Sequence, residues 1–402
     1  MWAATIGAVL GPNLTGKAAA QTVLKPLLAR GIRPHFVTAL DHAEISRRFF
    51  EGLTAQDVRG VTLVVEPKAN PAIPAAFPGV VRCTREVILD DVLGPGLARP
   101  MGELPSGATV AHLSYYLARH LGCDPVIMIG QDLGFTDGQY YSAGAAIHQV
   151  WSGELSEFNT LEMLEWQRIV RMKGILHRAV DHLGRDVFTD EQMLAYRLQF
   201  ERDFAEDRSK GLRVIDATEG GVRKEHTTIM TLAEALEAWA GPDLAPWNPE
   251  ALTAHERDTP QRRAAVLERL RSLRTDAGKV KELCLKTQRV LAEMAANIGN
   301  HARVNPLIEK AQELGRQAEA LGVAYRLTQH INQTGQLKRY RRDRLIALDE
   351  AATPVERQRR QVERDKENMQ WLADAAQELS ILASRSLETV QGSRATEVSR
   401  DR

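Results

Sequence analysis

Apolar and polar positions follow two different patterns along the chain. From about Thr22 to Leu236, short apolar runs alternate with longer stretches of helical spacing, an order typical of βαβ units. The strand candidates are rich in β-branched residues: His35–Leu40, Val61–Glu66, Val80–Cys83, Pro125–Ile129 and Leu212–Ile215. This pattern predicts an α/β fold with a largely parallel, open, Rossmann-like sheet.

Helices within this half are predicted from the spacing of apolar residues. In Ser106–Leu121 the apolar residues line one face, and Ser106 is the expected N-cap. Asn159–His182 and Asp190–Asp207 also have helical spacing. We expect these helices to cover the sheet or to form a lid.

The C-terminal part has a different, purely helical pattern. A segment rich in proline and glycine, Ala240–Pro249, predicts the boundary between an α/β domain at 1–240 and an α-helical domain at 250–402. Apolar residues then alternate by four and three, the spacing of a helical seam, in three stretches: Val266–Ile298, Leu307–Tyr325 and about Val355–Leu387. We predict an all-α hairpin or bundle whose seam serves packing, with a homo-oligomer through this arm as a candidate assembly.

Composition limits the classes of partner. The 402 residues are 44% hydrophobic, enough for a core, and 52 basic residues balance 52 acidic ones. No overall field attracts nucleic acid or an anionic membrane, and we interpret the basic cluster Lys338–Arg344 as a solvated face. Three separated cysteines, no long apolar span and no secretory signal predict a cytoplasmic protein.

Several chemical motifs are absent or incomplete. Gly11–Lys17 has the glycine and lysine spacing of a phosphate-binding loop, but Ala18 replaces the hydroxyl that would hold magnesium and Pro12 removes an N–H. We find no HExxH, GxSxG, GxGxxG or paired cysteines, so protease, hydrolase, dehydrogenase and zinc functions are not expected. His177 and His182, five apart on a predicted helix, would not share a face.

Polar residues follow three of the predicted strands. Asp41 and His42 end the first strand, where Asp41 is either a ligand-binding group or the cap of the next helix. The apolar run Pro125–Ile129 ends in Gly130, Gln131 and Asp132, and a later strand ends in Asp216, Thr218, Glu219, Gly220 and Gly221. Glycines allow close backbone approach to a ligand, and exposed N–H groups bind phosphate oxygens. Together with the Gly11–Lys17 segment, these loops make four candidate strand ends, which could converge on one cleft.

These blocks, in this order, resemble one protein family. They are Leu24–Leu28 with Gly31–Asp41, then Glu66–Pro71, then Gly130–Leu133, then Asp216–Gly221. The chain resembles the motility accessory factors, bacterial flagellin glycosyltransferases, over roughly Thr22 to Leu236. The resemblance implies a sialyltransferase-like central fold, which is shared with a pterin pyrophosphokinase-like superfamily.

The resemblance also implies an activity. We expect transfer of a nonulosonic, sialic-like acid from a CMP-sugar donor to a serine or threonine of flagellin or a similar protein, with no cofactor and no metal. Asp41, Asp132 or Glu219 would be the catalytic base. The substrate-binding residues would be His42, Lys68, Asn70, Gly130, Gln131, Asp216, Thr218, Gly220 and Gly221.

Two other functions stay open. A 6-hydroxymethylpterin pyrophosphokinase-like enzyme would use ATP and Mg²⁺, held near Asp41, Asp132 and Asp216. A non-catalytic nucleotide-binding or scaffold protein would use the helical arm to dock a partner. The family pattern has more residues before the block at Leu24 than this chain has, so we expect an abbreviated N-terminal part of the α/β domain.

Overall fold

The computed structural model describes residues 6–11, 14–98, 104–140, 148, 151–239 and 259–398, and the side chains of these from 17 to 392. The chain divides into two units, Met1–Glu86 with Met101–His255 and Val87–Pro100 with Glu256–Arg402. The linker predicted at Ala240–Pro249, and with it the predicted domain boundary, lies outside the described residues.

The first unit is built on a largely parallel sheet. In chain order, the described strands are β1 (Ile6–Gly11), β2 (Leu14–Ala20), β3 (Phe36–Ala39), β4 (Thr62–Val65), β5 (Val80–Cys83), β6 (Val126–Ile129), β7 (Leu176–Val180), β8 (Asp186–Asp190), β9 (Val214–Asp216) and β10 (Thr228–Ile229). Within this described part, eight strands form one sheet in the order β10-β9-β6-β1-β2-β3-β4-β5, and β7 pairs with β8 separately. β1 is antiparallel to β2 and β6, and the other neighbours in the large sheet are parallel. The predicted α/β fold is confirmed, and each of the five predicted strands is present.

The direction of winding reverses beside β1. From β2 the chain moves outward through β3, β4 and β5, and then returns to β6 on the other side of β1. Ile6 of β1 pairs with both Ala19 and Ile129, so the hairpin strand fills the place where the two halves of the sheet would otherwise meet. Open α/β sheets bind ligands at the carboxyl edge near such a switch.

The segment with phosphate-loop spacing is part of this hairpin. Gly16 and Lys17 lie in β2, where they pair with Val9 and Ala8 of β1. A phosphate-binding loop must instead lead from a strand into a helix whose first N–H groups face the anion. The strand conformation agrees with the missing hydroxyl at Ala18 and removes this segment from the candidate sites.

Helices flank the sheet and form the second unit. In chain order they are α1 (Leu24–Ala29), α2 (Ala72–Ala76), α3 (Val87–Leu93), α4 (Val110–His120), α5 (Leu161–Arg171), α6 (Glu191–Ser209), α7 (Leu232–Trp239), α8 (Pro260–Ala296), α9 (His301–Glu319), α10 (Val323–Ile331), α11 (Gln333–Leu348) and α12 (Pro354–Val398). None of the described helices is long and apolar enough to cross a membrane.

The N-cap predicted for α4 was wrong by three residues. Thr109, in an extended conformation, accepts a hydrogen bond from the N–H of His112, whereas Ser106 lies before the helix. Only the residue directly before the first helical turn can cap it, and the intervening Gly107 and Ala108 are not helical. Behind the cap, α4 buries Tyr115 and Tyr116 against Phe200 and Phe204 of α6.

The helix predicted at Asn159–His182 was also wrong in its second half. α5 ends at Arg171, and Leu176–Val180 instead forms β7, which pairs in register with Asp186–Asp190. His177 therefore lies in a strand. Apolar spacing continued past Gly174, but cross-strand pairing with β8 is a non-local interaction that local periodicity does not report. The helix predicted at Asp190–Asp207 is confirmed as α6, and Asp190 caps it by accepting a hydrogen bond from the N–H of Met193.

The second unit is an antiparallel helical bundle. Lys281 donates to Gln377 over 2.8 Å and Gln288 donates to Gln370 over 3.1 Å, so α8 and α12 run in opposite directions. The predicted seam is buried, with Leu273, Val280 and Cys284 of α8 packed against Leu372 and Leu379 of α12. The helical arm is confirmed. The same core receives Ile88 and Val92 of α3, a contribution that the sequence pattern did not predict.

Candidate active site

The loops after β6 and β9 hold one another at the carboxyl edge of the sheet. Gly130, with φ +66°, turns the chain at the end of β6. The N–H of Gln131 donates to the hydroxyl of Thr218 over 3.3 Å, and the buried Gln131 amide donates to the Gly130 carbonyl over 3.2 Å. The β6 loop and the β9 loop therefore form one surface.

Gly221 is the point of closest approach between these loops. The N–H of Val222 donates to the Asp132 carbonyl over 2.7 Å. A Cβ at Gly221, where φ is +76°, would lie 2.5 Å from the carbonyl oxygen of Asp132 and 2.8 Å from its carbonyl carbon. At Gly220 a Cβ would meet Asp132 Oδ1 and Thr136 Cγ2 only at 3.7 Å. Glycine is thus a steric requirement at 221, while 220 has space beside the carboxylate.

A buried ion pair fixes the β9 loop. Lys224 Nζ lies 2.8 Å from Asp216 Oδ2, with the side chains 0% and 4% exposed. Asp216 also accepts from the N–H of Thr218 over 3.2 Å, and Lys224 donates to the Val222 carbonyl over 3.2 Å. The sequence analysis passed over Lys224, because Arg223-Lys224-Glu225 has the composition of an ordinary charged surface. The available signal for a buried lysine was Asp216, a carboxylate at the end of an apolar strand that needs a partner.

Left-handed backbone is concentrated in the same two loops. Among the described residues, four non-glycine residues have positive φ: Leu133, Asp137, Glu219 and His226. The first two follow β6 and the other two follow β9. Side chains disfavour this conformation, which persists where surrounding contacts enforce it and clusters at functional sites.

The β7–β8 hairpin braces these loops from outside. Arg223 donates its N–H to the Val180 carbonyl over 3.0 Å, and Phe135 donates to the Phe188 carbonyl over 2.8 Å. The hydroxyl of Thr189 donates to the Leu133 carbonyl over 2.8 Å. These hydrogen bonds to the hairpin therefore help to fix the positions of the loops.

The Asp132 carboxyl lies in a partly buried, charged environment. Burial raises its pKa above the ordinary value for aspartate, and the neighbouring Asp216 acts in the same direction. Lys224 and His182 oppose the rise. A carboxylate with a raised pKa is a stronger proton acceptor than an exposed one, which suits a general base. We call Asp132, Asp216, Thr218, Gly220, Gly221 and Lys224 the β6–β9 cluster.

Glu219, also predicted as a base, makes a structural contact. Its side chain is exposed, and Oε1 accepts the N–H of Leu232 over 2.8 Å. Leu232 is the first residue of α7, so the carboxylate satisfies an N–H at the helix start. The geometry therefore favours Asp132 over Glu219 for proton transfer.

A second group lies at the ends of β3 and β4. Asp41 Oδ2 accepts hydrogen bonds from the side chains of Gln21 and Ser46, the latter over 2.8 Å. The 3₁₀ helix that follows begins after Ala43 without a side-chain cap, so Asp41 is not the cap that the alternative interpretation proposed. His42 is exposed.

Asn70 joins the two loops of this group. Its N–H donates to the Asp41 carbonyl over 2.8 Å, and its Nδ2 donates to the His42 carbonyl over 3.2 Å. Lys68 is 59% exposed and pairs with Glu86 over 3.0 Å. We call Gln21, Asp41, Ser46 and Asn70 the β3–β4 cluster.

Gln21 was missed by the sequence analysis. It directly follows β2, is 1% exposed, and its Oε1 is buried with no hydrogen-bond partner among the described residues. A polar residue immediately after the apolar stretch Ala18–Ala20 was the available signal.

The predicted site residues thus fall into two groups along one edge. β1 and β2 lie between β6 and β3, which separates the two groups by three strand spacings, or about 14 Å. Asp41 and Asp132 cannot share one proton over that span, although an extended ligand can reach both. Among the described residues, no three His, Cys, Asp or Glu side chains are grouped as metal ligands.

Comparison with known proteins gives a partial match. Residues 18–138, less than a third of the chain, match the family model described as 6-hydroxymethylpterin diphosphokinase MptE-like. A solved structure of the Maf glycosyltransferase from Magnetospirillum magneticum AMB-1 aligns with 93% of this chain and 51% of its own, at 15% identity and a TM-score of 0.43. The chain therefore spans about half the length of that protein. No curated protein matches. The family match confirms the resemblance seen in the sequence: over residues 18–138, from β2 through the β6 loop, the chain is similar to the MptE-like proteins.

Proposed function

We propose that the β6–β9 cluster binds the phosphate of an activated donor and that the α/β unit transfers a sugar acid from a CMP conjugate to a protein hydroxyl. The observation that carries this proposal is the arrangement around Asp132: the loops after β6 and β9 contain residues in the left-handed conformation and are hydrogen-bonded to each other and to the β7–β8 hairpin. The N–H groups of Glu219 and Gly220 form no hydrogen bond with the described residues, so an anion beside the β9 loop would supply the partner that they lack. Paired backbone N–H groups are a common phosphate site.

The proposed reaction uses two features that lie side by side. The acceptor oxygen bonds to the anomeric carbon, the bond from that carbon to the CMP phosphate oxygen breaks, and the electron pair leaves with CMP. Asp132 takes the proton of the acceptor hydroxyl, and the Glu219 and Gly220 N–H groups stabilise the negative charge on the departing phosphate. The distance of 3.7 Å between Asp132 Oδ1 and the Cβ position of Gly220 supports the proposal that the base and the phosphate lie next to each other.

The β3–β4 cluster would hold another part of the same donor. Asp41, His42 and Asn70 offer hydrogen-bonding groups about 14 Å along the edge, a distance that fits an extended nucleotide sugar better than a single monosaccharide. Lys68 follows β4 at the same edge of the sheet and is paired with Glu86. The acceptor in this proposal is a serine or threonine of flagellin or a similar protein.

Pyrophosphoryl transfer to a pterin is the second candidate, because the family match covers β2 to the β6 loop. It would require magnesium near Asp41, Asp132 and Asp216. The residues do not fit this arrangement, since Asp216 is paired with Lys224 and Asp41 is about 14 Å from Asp132. We therefore rank it below sugar transfer.

Calorimetric titration with CMP, and separately with ATP plus magnesium, tests the proposal. We expect saturable CMP binding by the unmodified chain and a loss of about tenfold in affinity in Gly220→Ala, whose methyl group narrows the space beside the N–H groups. Asp132→Asn should bind CMP nearly as well, because the base contributes to transfer rather than to nucleotide binding. Binding of ATP with magnesium but not CMP would replace sugar transfer by the second candidate. Binding of neither would reject both.

A further inference from the structure

The basic cluster Lys338–Arg344, interpreted from the sequence as a solvated face, contributes to both sides of α11. On the side that packs on α12, Arg342 pairs with Glu367 over 2.6 Å and Arg339 pairs with Asp365 over 3.6 Å. Both acidic residues belong to α12. These two arginines therefore help to join the helices of the bundle.

The opposite side of α11 is apolar and cationic. Arg341 and Arg344 are exposed and form no ion pair with the described residues. Leu337 and Leu348 lie on the same face, so that leucine, arginine, arginine and leucine follow one another at intervals of four, three and four residues. We call these four residues the α11 stripe. The large apolar side chains in and beside the stripe are all at least 61% exposed: Leu337, Tyr340, Leu345 and Leu348.

This grouping has the character of a contact surface. Full burial of a leucine side chain contributes about 1.5–3 kcal/mol, and the fold leaves this contribution unused on one side of α11. Single exposed leucines are ordinary, whereas apolar side chains grouped on one surface mark interaction sites. Tyrosine and arginine are enriched in such interfaces. The stripe therefore suits a partner that covers leucines and arginines together.

A second copy of the same helix does not complement the stripe. An antiparallel, isologous pair centred on the stripe would place Leu337 opposite Leu348, but it would also place Arg341 opposite Arg344. Like charges opposite each other at an interface cost several kcal/mol. The partner must therefore carry negative charge where the stripe carries arginine.

An anionic bilayer would meet this requirement only weakly. Polybasic segments gain about 1 kcal/mol per cation at a membrane surface and use about 4–8 cations, so the two arginines of the stripe would gain only about 2 kcal/mol. The other cations of the cluster have contacts on α12: Arg339 and Arg342 in ion pairs, and Lys338 over the ring of Trp371 at 5.4 Å. A protein partner gains more, because a guanidinium forms directional, bidentate hydrogen bonds with a carboxylate.

We propose that the α11 stripe docks an amphipathic helix of a partner protein, in which two acidic residues lie between two large apolar residues at intervals of four, three and four. The carboxylates accept hydrogen bonds from Arg341 and Arg344, and the apolar residues cover Leu337 and Leu348. This spacing reads the same in both directions, so a parallel or an antiparallel helix matches it. The surface belongs to the helical unit and does not depend on the transferase proposal.

Fluorescence anisotropy of two synthetic helical peptides, titrated with the full chain, tests the surface. The peptides differ only at the stripe positions, which are Leu, Glu, Glu and Leu in one and Leu, Lys, Lys and Leu in the other. We expect saturable binding of the acidic peptide alone. The double variant Arg341→Glu/Arg344→Glu should bind it about tenfold more weakly and should gain binding of the lysine peptide.

The matched control has the same change in net charge elsewhere on the helical unit. Arg274 and Arg385 are exposed residues of α8 and α12, and Arg274→Glu/Arg385→Glu should bind the acidic peptide as the unmodified chain does. Circular dichroism checks that both double variants fold. If Arg341→Glu/Arg344→Glu does not fold, Leu348→Ser at an exposed position replaces it, with the same expected loss of acidic peptide.

Each other result contradicts the proposal. Equal binding of both peptides, or of neither, would reject a charge-selective helix site, and an equal loss in the control variant would reduce the effect to net charge. Without binding of the acidic peptide, two further measurements would identify another occupant. Dimerisation in sedimentation velocity that Leu348→Ser abolishes would assign the stripe to a second copy. Cosedimentation with phosphatidylserine vesicles that Arg341→Glu/Arg344→Glu abolishes would assign it to a bilayer.

Discussion

Asp132 and Asp41 follow equivalent points of the sheet, each just beyond the carboxyl end of a parallel strand, but their surroundings differ. Asp132 lies in a cluster with a buried ion pair, a close backbone contact and residues in the left-handed conformation. Asp41 is held by two neutral side chains, and the ion pairs in the neighbouring loops, Glu44–Arg47 and Lys68–Glu86, are at least partly exposed. Buried charge is thus concentrated at the β6–β9 cluster, where charge would develop in a reaction. The β3–β4 cluster instead has hydrogen bonds from neutral side chains, which suit a recognition surface.

The largest expected effect comes from breaking the buried ion pair. Lys224→Met leaves the Asp216 carboxylate buried and unpaired, which should reduce the free energy of unfolding by about 3–5 kcal/mol. The matched change in the other region, Lys68→Met, removes a partly exposed pair and should reduce the free energy of unfolding by about 1 kcal/mol or less. Urea denaturation measures both. Similar losses in the two variants would show that the clusters do not differ in this way.

The next largest effect is expected where the backbone of Gly221 packs against that of Asp132. Gly221→Ala should lower the free energy of unfolding by about 2–4 kcal/mol, because the methyl group would overlap the Asp132 backbone at a positive φ. Gly220→Ala meets only ordinary contacts and should change stability by about 0.5 kcal/mol or less. A thermal melt compares this pair directly. If both alanines are tolerated, the two loops are less tightly joined than the structure indicates.

These contacts also define what the sequence could predict. The apolar runs of β3, β4, β6 and β9 were readable because buried parallel strands need continuous apolar residues. The polar residues after them were readable because loops at strand ends carry ligand-binding groups. Both inferences depend only on local sequence.

The missed features depend on partners distant in the chain. Lys224 is buried by its contact with Asp216, and the role of Glu219 as a cap depends on where α7 begins. β7 exists because β8 pairs with it, and the separation of Asp41 from Asp132 depends on the β1–β2 hairpin between their strands. Local propensity contains none of this information.

A smaller effect on the free energy of unfolding is expected when the hydrogen bonds of the Asn70 side chain in the β3–β4 cluster are removed. Asn70→Ala removes the hydrogen bond to the His42 carbonyl and the one that Asn70 accepts from the Ala72 N–H, and should cost about 1 kcal/mol of unfolding free energy. Asn70→Asp keeps the acceptor and loses the donor, so an intermediate loss is expected. Urea denaturation measures both losses, and equal losses in the two variants would show that only the donor to the His42 carbonyl matters.

The smallest effect, and the one that depends on pH, is expected for Asp132→Asn. Because burial raises the pKa of Asp132 in the folded protein, the folded state binds more protons than the unfolded state between the ordinary aspartate pKa, about 3.9, and the raised value. Asp132 therefore lowers stability as pH rises through that window, and the cost remains at neutral pH. Asparagine carries no charge, so the variant should equal the unmodified protein below the window and exceed it at pH 7. Urea denaturation across this pH range measures the difference, with Asp41→Asn as the control from the other cluster, where loss of the acceptor for Gln21 and Ser46 should reduce stability instead. If Asp132→Asn is less stable at pH 7, the carboxylate is a structural ligand of its loop and not a base kept in a costly environment.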